Sequence, residues 1–322
     1  LQQSFGMKRS TMIAISTAAL GASTLPAQAQ SADTVRMGVV GVEEAALPYY
    51  AQEKGIFKAA GLNVQLTVLP NGGSVTQGIL GNALDVGVTN SGSMSAAYIQ
   101  GLPLQMLACG AVFAPRSPIS HLAVGKDSGL TTAKDLNGKT FAVSTLHDMI
   151  QGTVLAWIDQ NGGDWKTIKF IEMPPPQMAG AIVAKRIDGG AIVEPFFTAS
   201  RNDISNLGYN YSAVNGNKPF QTLGIAASKD WLAKNAATGK RLAAAIHDAA
   251  KWANNPKNFA EAATMLATFT KVDPAIIAGY PRLAFAESNS AGLIQPVVDM
   301  LAKYTFLAHG FSAADLFGPG LL

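Results

Sequence analysis

The stretch Ile79-Leu80-Gly81-Asn82-Ala83-Leu84-Asp85-Val86-Gly87-Val88 recurs in kind 103 residues later as Ile182-Val183-Ala184-Lys185-Arg186-Ile187-Asp188-Gly189-Gly190-Ala191. In each copy an apolar helix ends, an aspartate closes a turn, and a short apolar strand runs into a polar loop, Thr89 to Ser93 or Glu194 to Thr198. Loops beyond the carboxyl ends of strands are where α/β sheets place ligands. Two such loops facing each other imply a cleft between two lobes that close around a small molecule. The competing account is a chance echo in a chain rich in alanine and glycine.

Around the repeat, helices and strands alternate. Val35 to Val40 is a short apolar strand, and Ala45 to Lys54 a helix with Gly55 at its C′ position. Asn63 to Leu69 alternates, with Val64, Leu66 and Val68 on one face and Gln65 and Thr67 on the other. Asn71-Gly72-Gly73-Ser74 opens the next helix, with Ser74 as the expected N-cap. Strands are expected at Val86 to Thr89, Leu104 to Val112, Thr140 to Val143, Ile168 to Glu172 and Leu223 to Ser228. Ser144-Thr145 is expected to cap a helix reaching Asn161, and Pro174-Pro175-Pro176 to form an extended connection before a helix from Met178 to Lys185. The C-terminal third carries helical stripes: Leu242, Ala245, Ile246, Ala249 and Ala253, then Phe259, Ala263 and Leu266, then Leu293, Val297, Met300 and Tyr304. Asp273-Pro274 is a cap followed by a first-turn proline.

This pattern is α/β, with mostly parallel sheets flanked by helices. Lobe 1 is expected to comprise residues 31–122 and 227–322, and lobe 2 residues 123–226. Crossings near Leu122 to Gly125 and Thr222 to Ala227 would form a hinge.

Bulk properties narrow the function. Met7, Lys8 and Arg9, the apolar run Met12 to Leu25 and Ala27-Gln28-Ala29 read as a secretory signal over residues 7–29, so the periplasm is the expected location. Residues 1–6 precede a plausible start methionine and are left out of the fold reading. Cleavage after Ala29 leaves 293 residues with 22 basic against 21 acidic side chains, a balance that offers nothing to nucleic acid. Cys109 is the only cysteine, so an intramolecular disulfide is excluded, and its apolar surroundings from Leu107 to Phe113 read as strand interior rather than nucleophile. His121, His147, His247 and His309 lack metal-ligand spacing, and no P-loop, dinucleotide fingerprint or nucleophile elbow is present. No metal, cofactor or catalytic residue is expected; the chain reads as a binding protein rather than an enzyme, and as a monomer.

Polar residues gather at loops that the alternation brings to one rim. Candidate ligand contacts there are Gly41, Glu43, Glu44, Asn71, Gly73, Ser74, Asn90, Ser91, Ser93, Ser144, Thr145, His147, Glu194 and Phe196. Helix N-termini hold anionic groups without a lysine or arginine, whereas carboxylates favour ligands bearing N–H groups or positive charge. A molecule with both characters, or an amino-heterocycle, fits best. Either of Glu43 and Glu44 could instead simply cap its helix, and Phe196 could pack in a core.

The chain resembles the substrate-binding proteins of nitrate, sulfonate and taurine ABC importers, a group that includes thiamine-pyrimidine-synthesis-like proteins. The resemblance spans Val35 to Tyr304. Its carriers are Ala51-Gln52-Glu53-Lys54-Gly55-Ile56-Phe57 with Gly61-Leu62-Asn63-Val64, Asp85-Val86-Gly87, Lys134-Asp135-Leu136-Asn137-Gly138-Lys139, Ser144-Thr145-Leu146-His147, and Ile187-Asp188-Gly189 leading to Glu194-Pro195. It implies a type II periplasmic-binding-protein fold, capture of a small-molecule ligand between lobes, and delivery to a permease driven by a separate ATPase. The ligand itself does not carry over. An enzyme on the same scaffold would need an activated group, for which His147 with Asp148 is the one candidate. A sensor domain would need a transmembrane or DNA-binding partner segment.

Overall fold

The computed structural model describes residues 33–322, and the expected signal segment and residues 1–6 lie outside the described residues. Thirteen strands are described: β1 (Asp33–Val40), β2 (Leu62–Leu69), β3 (Val86–Asn90), β4 (Leu104–Cys109), β5 (Ala111–Phe113), β6 (Ser120–Gly125), β7 (Thr140–Val143), β8 (Lys169–Glu172), β9 (Gly189–Val193), β10 (Ile204–Gly208), β11 (Phe220–Gln221), β12 (Leu223–Ser228) and β13 (Ala284–Phe285). They form two five-stranded sheets, β2-β1-β3-β12-β4 and β10-β6-β9-β7-β8, and a small sheet β11-β5-β13. In the first, β1 runs parallel to β2 and β3 while β12 lies antiparallel between β3 and β4. In the second, β7 runs parallel to β8 and β9 while β6 lies antiparallel between β9 and β10. Each sheet is mixed by a single reversed strand at the same place in its order.

The repeat is physical. Asp85 N donates to Arg36 O, and Arg36 N donates to the Asp85 carboxylate at 2.8 Å. Asp188 N likewise donates to Thr140 O, and Thr140 N to the Asp188 carboxylate at 2.8 Å. Each aspartate thus pins the start of its sheet's central strand, β3 or β9, to the neighbouring β1 or β7. Asn82 and Lys185 hold positive φ at equivalent places in the preceding turn, and the closing bonds Ala83 N to Gly78 O and Arg186 N to Ala181 O keep the same offset. Matching at the level of individual hydrogen bonds excludes a chance echo.

The structure departs from the sequence reading where backbone donors must be satisfied. Asn71, not Ser74, caps the helix Gly72–Leu80, because its Oδ1 accepts from Ser74 N at 2.8 Å and leaves Ser74 in the first turn. Asp148, not Ser144 or Thr145, caps Met149–Gln160. Pro175 and Pro176 begin the helix Pro175–Val183 rather than extending the connection, since first-turn positions need no N–H donor. The expected strand Leu104 to Val112 breaks at Gly110, where a Cβ would lie 2.7 Å from Leu223 O, and β5 leaves for the small sheet.

Leu122 to Gly125 lies inside β6, and the extended segment from Leu223 inside β12. The passages between the sheets are instead the stretches 114–119 and 209–219, beside the antiparallel pair β5–β11. Of the C-terminal helices, Ala236–Asn254 buries its expected stripe in the core shared with the first sheet. Ala291–Lys303 packs on Met149–Gln160, and the following Tyr304 hydroxyl donates to Asp159 at 3.0 Å. Among the described residues, no helix is long and apolar enough to cross a membrane.

Candidate functional site

Four helices point their N-termini at one cavity between the two sheets. Gly72–Leu80 and Ser91–Ile99 come from the first sheet's connections, and Met149–Gln160 and Pro175–Val183 from the second's. The cavity has a volume of about 50 Å³, and its polar lining is Glu44, Asn71, Asn90, Ser144 and Tyr211. Its apolar walls include Val40, Val42, Ile150, Val193 and Leu223, and no lysine or arginine lines it. The converging helix dipoles favour electron-rich groups, while Glu44 favours a donor.

Two asparagines each serve both sides of the cleft. Asn71 caps its own helix through Oδ1 and donates through Nδ2 to Ser144 O at 3.2 Å and to Glu172 at 3.0 Å. Asn90 accepts from Ser93 N at 2.7 Å and donates to Asp148 at 2.6 Å, while Asp148 accepts from Ile150 N at the head of its own helix. A single amide group thus satisfies one helix end and bridges to the opposite lobe. Burial pushes the Asp148 carboxyl up to about 7, against the bonds from Asn90 and the backbone of Ile150 and Gln151. Burial also pushes Glu44 up to about 7, although Thr222 and Tyr211 hydrogen-bond to it and pull the other way.

The expected contacts separate into groups. Glu44, Asn71, Asn90 and Ser144 line the cavity. Gly73 meets the opposite lobe, since a Cβ there would lie 3.5 Å from Thr145 Cγ2, and the Thr145 hydroxyl is buried without a partner. Ser74 and Ser93 fill first-turn positions, and Ser91 exchanges hydrogen bonds with Gln221 and Thr222. Gly41 and Phe196 line an adjoining groove instead.

Glu43 and Glu194 are buried away from the cavity. Arg282 lies 2.8 Å from Glu43 as an ion pair, in an orientation that makes no directed hydrogen bond. Burial raises the Glu43 carboxyl, with Arg282 opposing. Glu194 accepts from Thr198 N at 3.1 Å and from its hydroxyl at 2.9 Å, and His121 Nε2 lies 3.0 Å away. His147 is exposed, with its ring 5.5 Å edge-on from Phe306. Sequence reasoning missed Tyr211 and Glu172, and neither carries a local signal: one comes from a short helix before β11, the other ends β8. Burial pushes the Cys109 thiol up to about 11, and Ser290 N donates to its sulfur, so it is no nucleophile. Among the described residues, no group of three metal-binding side chains converges.

A family model described as NMT1/THI5 like matches residues 43–259. The nitrate import ATP-binding protein NrtC of Synechocystis sp. is 27% identical over 250 residues, covering 72% of this chain and 36% of that protein. The chain therefore spans about a third of that relative's length. Among solved structures, the alkanesulfonate-binding protein SsuA from Xanthomonas axonopodis pv. citri, bound to MOPS, matches with a TM-score of 0.73 at 17% identity, over 88% of this chain and 98% of that one. The desulfurization enzyme DSZB matches with a TM-score of 0.63 at 14% identity, over 90% of this chain and 97% of that one. At these identities the structural likenesses establish the fold, which is that of periplasmic binding proteins.

Proposed function

Because the chain belongs to the NMT1/THI5-like family, we propose that it is the solute receptor of an ABC importer, capturing a small polar or anionic, nitrogen-bearing organic molecule between two lobes. One observation carries this reading: four helix N-termini, two from each sheet's connections, converge on a cavity whose only charged lining group is Glu44. Ligand N–H groups would meet Glu44, and ligand acceptor atoms the three helix ends that do not begin in proline. Bare nitrate suits such a lining poorly. The likeness to SsuA and the match to NrtC support import as the role, with a permease and its ATPase as partners and the periplasm as the place. The lobes in this reading are the two five-stranded sheets with their helices, and the hinge lies at 114–119 and 209–219.

Calorimetric titration tests it, using the protein unfolded and refolded to strip carried-over ligand. The panel is nitrate, taurine, alkanesulfonates, aminopyrimidines and aromatic carboxylates. The expected result is a one-to-one response at micromolar affinity or tighter to a nitrogen-bearing member, weakened at least tenfold by Glu44→Ala. Silence across the panel rejects these ligand classes.

A second reading is an enzyme on the same scaffold, since DSZB shares the fold and Glu44 changes protonation near neutral pH beside the cavity. Neither a thiol nor an imidazole lines the cavity, since Cys109 is buried elsewhere and His147 is exposed. Mass spectrometry of the bound molecule before and after incubation separates the two: an unchanged ligand supports a receptor, and a product supports an enzyme.

A further inference from the structure

We propose that the ligand is amphiphilic, with its polar head in the cavity and an apolar tail in a groove formed by both lobes at the cavity's edge; this rests on the receptor reading above. The groove adjoins the cavity, because Val40, Val42, Pro70 and Pro175 line both. Its volume is about 350 Å³ against about 50 Å³ for the cavity, so most of the space at this junction lies outside the polar chamber. A head group alone would leave it unused.

The groove's chemistry differs from the chamber's. Val68, Phe196, Phe269 and the run Pro174-Pro175-Pro176 supply its walls, and no charged side chain lines it. Both lobes contribute, Val68 from β2 and Phe269 from the helix Phe259–Thr270 on one side, the prolines and Phe196 on the other. The prolines open a helix without offering N–H groups, so this helix end presents carbon where its three companions present donors. Phe269 is held by stacking on Tyr49, with ring centroids 4.8 Å apart.

Val68 gives the independent observation. The alternation of β2 places Val64, Leu66 and Val68 on one face, but burial falls along it from a core Val64 to a Val68 that is 59% exposed. The apolar pattern continues past the core into the groove, where folding gains little from a valine. A ligand tail laid there would cover it.

The test is calorimetry with two homologous series, N-alkyltaurines and 2-alkyl-4-aminopyrimidines, each with tails of one to six carbons. A methylene that leaves water gains up to about fourfold in affinity. The expected result is a two- to fourfold gain per added carbon in one series, abolished by Val68→Asp. Phe196→Ala, which removes a wall without adding charge, should halve the gain at least. Affinity independent of tail length, or a length dependence that both variants leave intact, overturns the tail subsite while the receptor reading stands. Silence from both series at every length rejects the nitrogen-bearing ligand classes of the receptor reading, and the tail subsite with them. Sedimentation of the unliganded protein completes the test: a dimer that Val68→Asp dissolves would assign the groove to a second copy and overturn the proposal.

Discussion

At the residue scale, the two equivalent aspartates do measurable work. Asp188→Ala leaves Thr140 N without its acceptor in a partly buried place, at an expected cost of about 1–3 kcal/mol in urea unfolding. Asp188→Asn, which keeps an acceptor, should recover most of it. Asp85→Ala should cost a similar amount, because the Arg36 guanidinium that also contacts it is 46% exposed and adds little. Glu44 makes a different prediction. Its carboxyl is raised from 4.5 to about 7 by burial, so between those values the folded protein holds a proton that the unfolded chain has released. Stability therefore falls as pH rises through that window and levels above it. Glu44→Gln should flatten the decline and raise stability at pH 8 by on the order of 3 kcal/mol. Asp148, raised in the same direction, leaves a residual slope. An unchanged urea midpoint difference between pH 5 and pH 8 in Glu44→Gln would refute the assignment.

At the element scale, a helix cap and an interlobe contact share one side chain, and substitution can separate them. Asn90→Ala removes both the cap on Ser93 N and the bond to Asp148, and should lower stability by about 1–2 kcal/mol. Asn90→Ser restores a capping oxygen but is too short to bridge. It should recover most of the stability while leaving the cleft easier to open, seen as a larger radius of gyration by X-ray scattering. Equal stability of the two variants would show that the bridge, not the cap, carries the energy. The caps also show what local sequence hides: Asn71 and Asp148 win over Ser74, Ser144 and Thr145 because the flanking backbone sets which side chain reaches the free N–H groups. Short polar residues in a row all have capping propensity, and spacing alone does not rank them.

At the scale of the molecule, the lobes approach closely where the helices Ser91–Ile99 and Met149–Gln160 touch. A Cβ on Gly92 would lie 2.4 Å from Met149 N, nearer than atoms pack, and backbone does not yield as a flexible side chain does. Gly92→Ala should therefore hold the lobes apart. Expected are a larger radius of gyration, no compaction on adding ligand, and at least tenfold weaker binding, with the circular-dichroism spectrum unchanged. Loss of helical signal would show instead that Gly92 matters within its own lobe. The cavity of about 50 Å³ is small beside typical ligand sites of ~300–1,000 Å³, so entry of an organic ligand requires the lobes to part. Opening must also strain the contact of Ala291–Lys303 with Met149–Gln160, which limits how far the lobes swing.

The sequence by itself determined the architecture, because its signals are local. Strand alternation, helical stripes and a turn closed by aspartate are written within ten residues of one another, and repeating that turn 103 residues apart was enough to imply two similar sheets. It also placed Glu44, Asn71, Asn90 and Ser144 together, since strand-to-helix loops share one rim of any such sheet. Only the tertiary structure decided which rim residues face the cavity. Glu43 and Glu44 are adjacent, yet one turns to Arg282 and the other to Tyr211, partners 239 and 167 positions away along the chain. Glu194 was spent on Thr198 and His121, and His147 on Phe306, because each side chain bonds whatever the packing of distant segments brings near. Where the two sheets meet is a long-range property of the chain, and so the cavity, its groove and the close approach at Gly92 had no signature in the residues beside them.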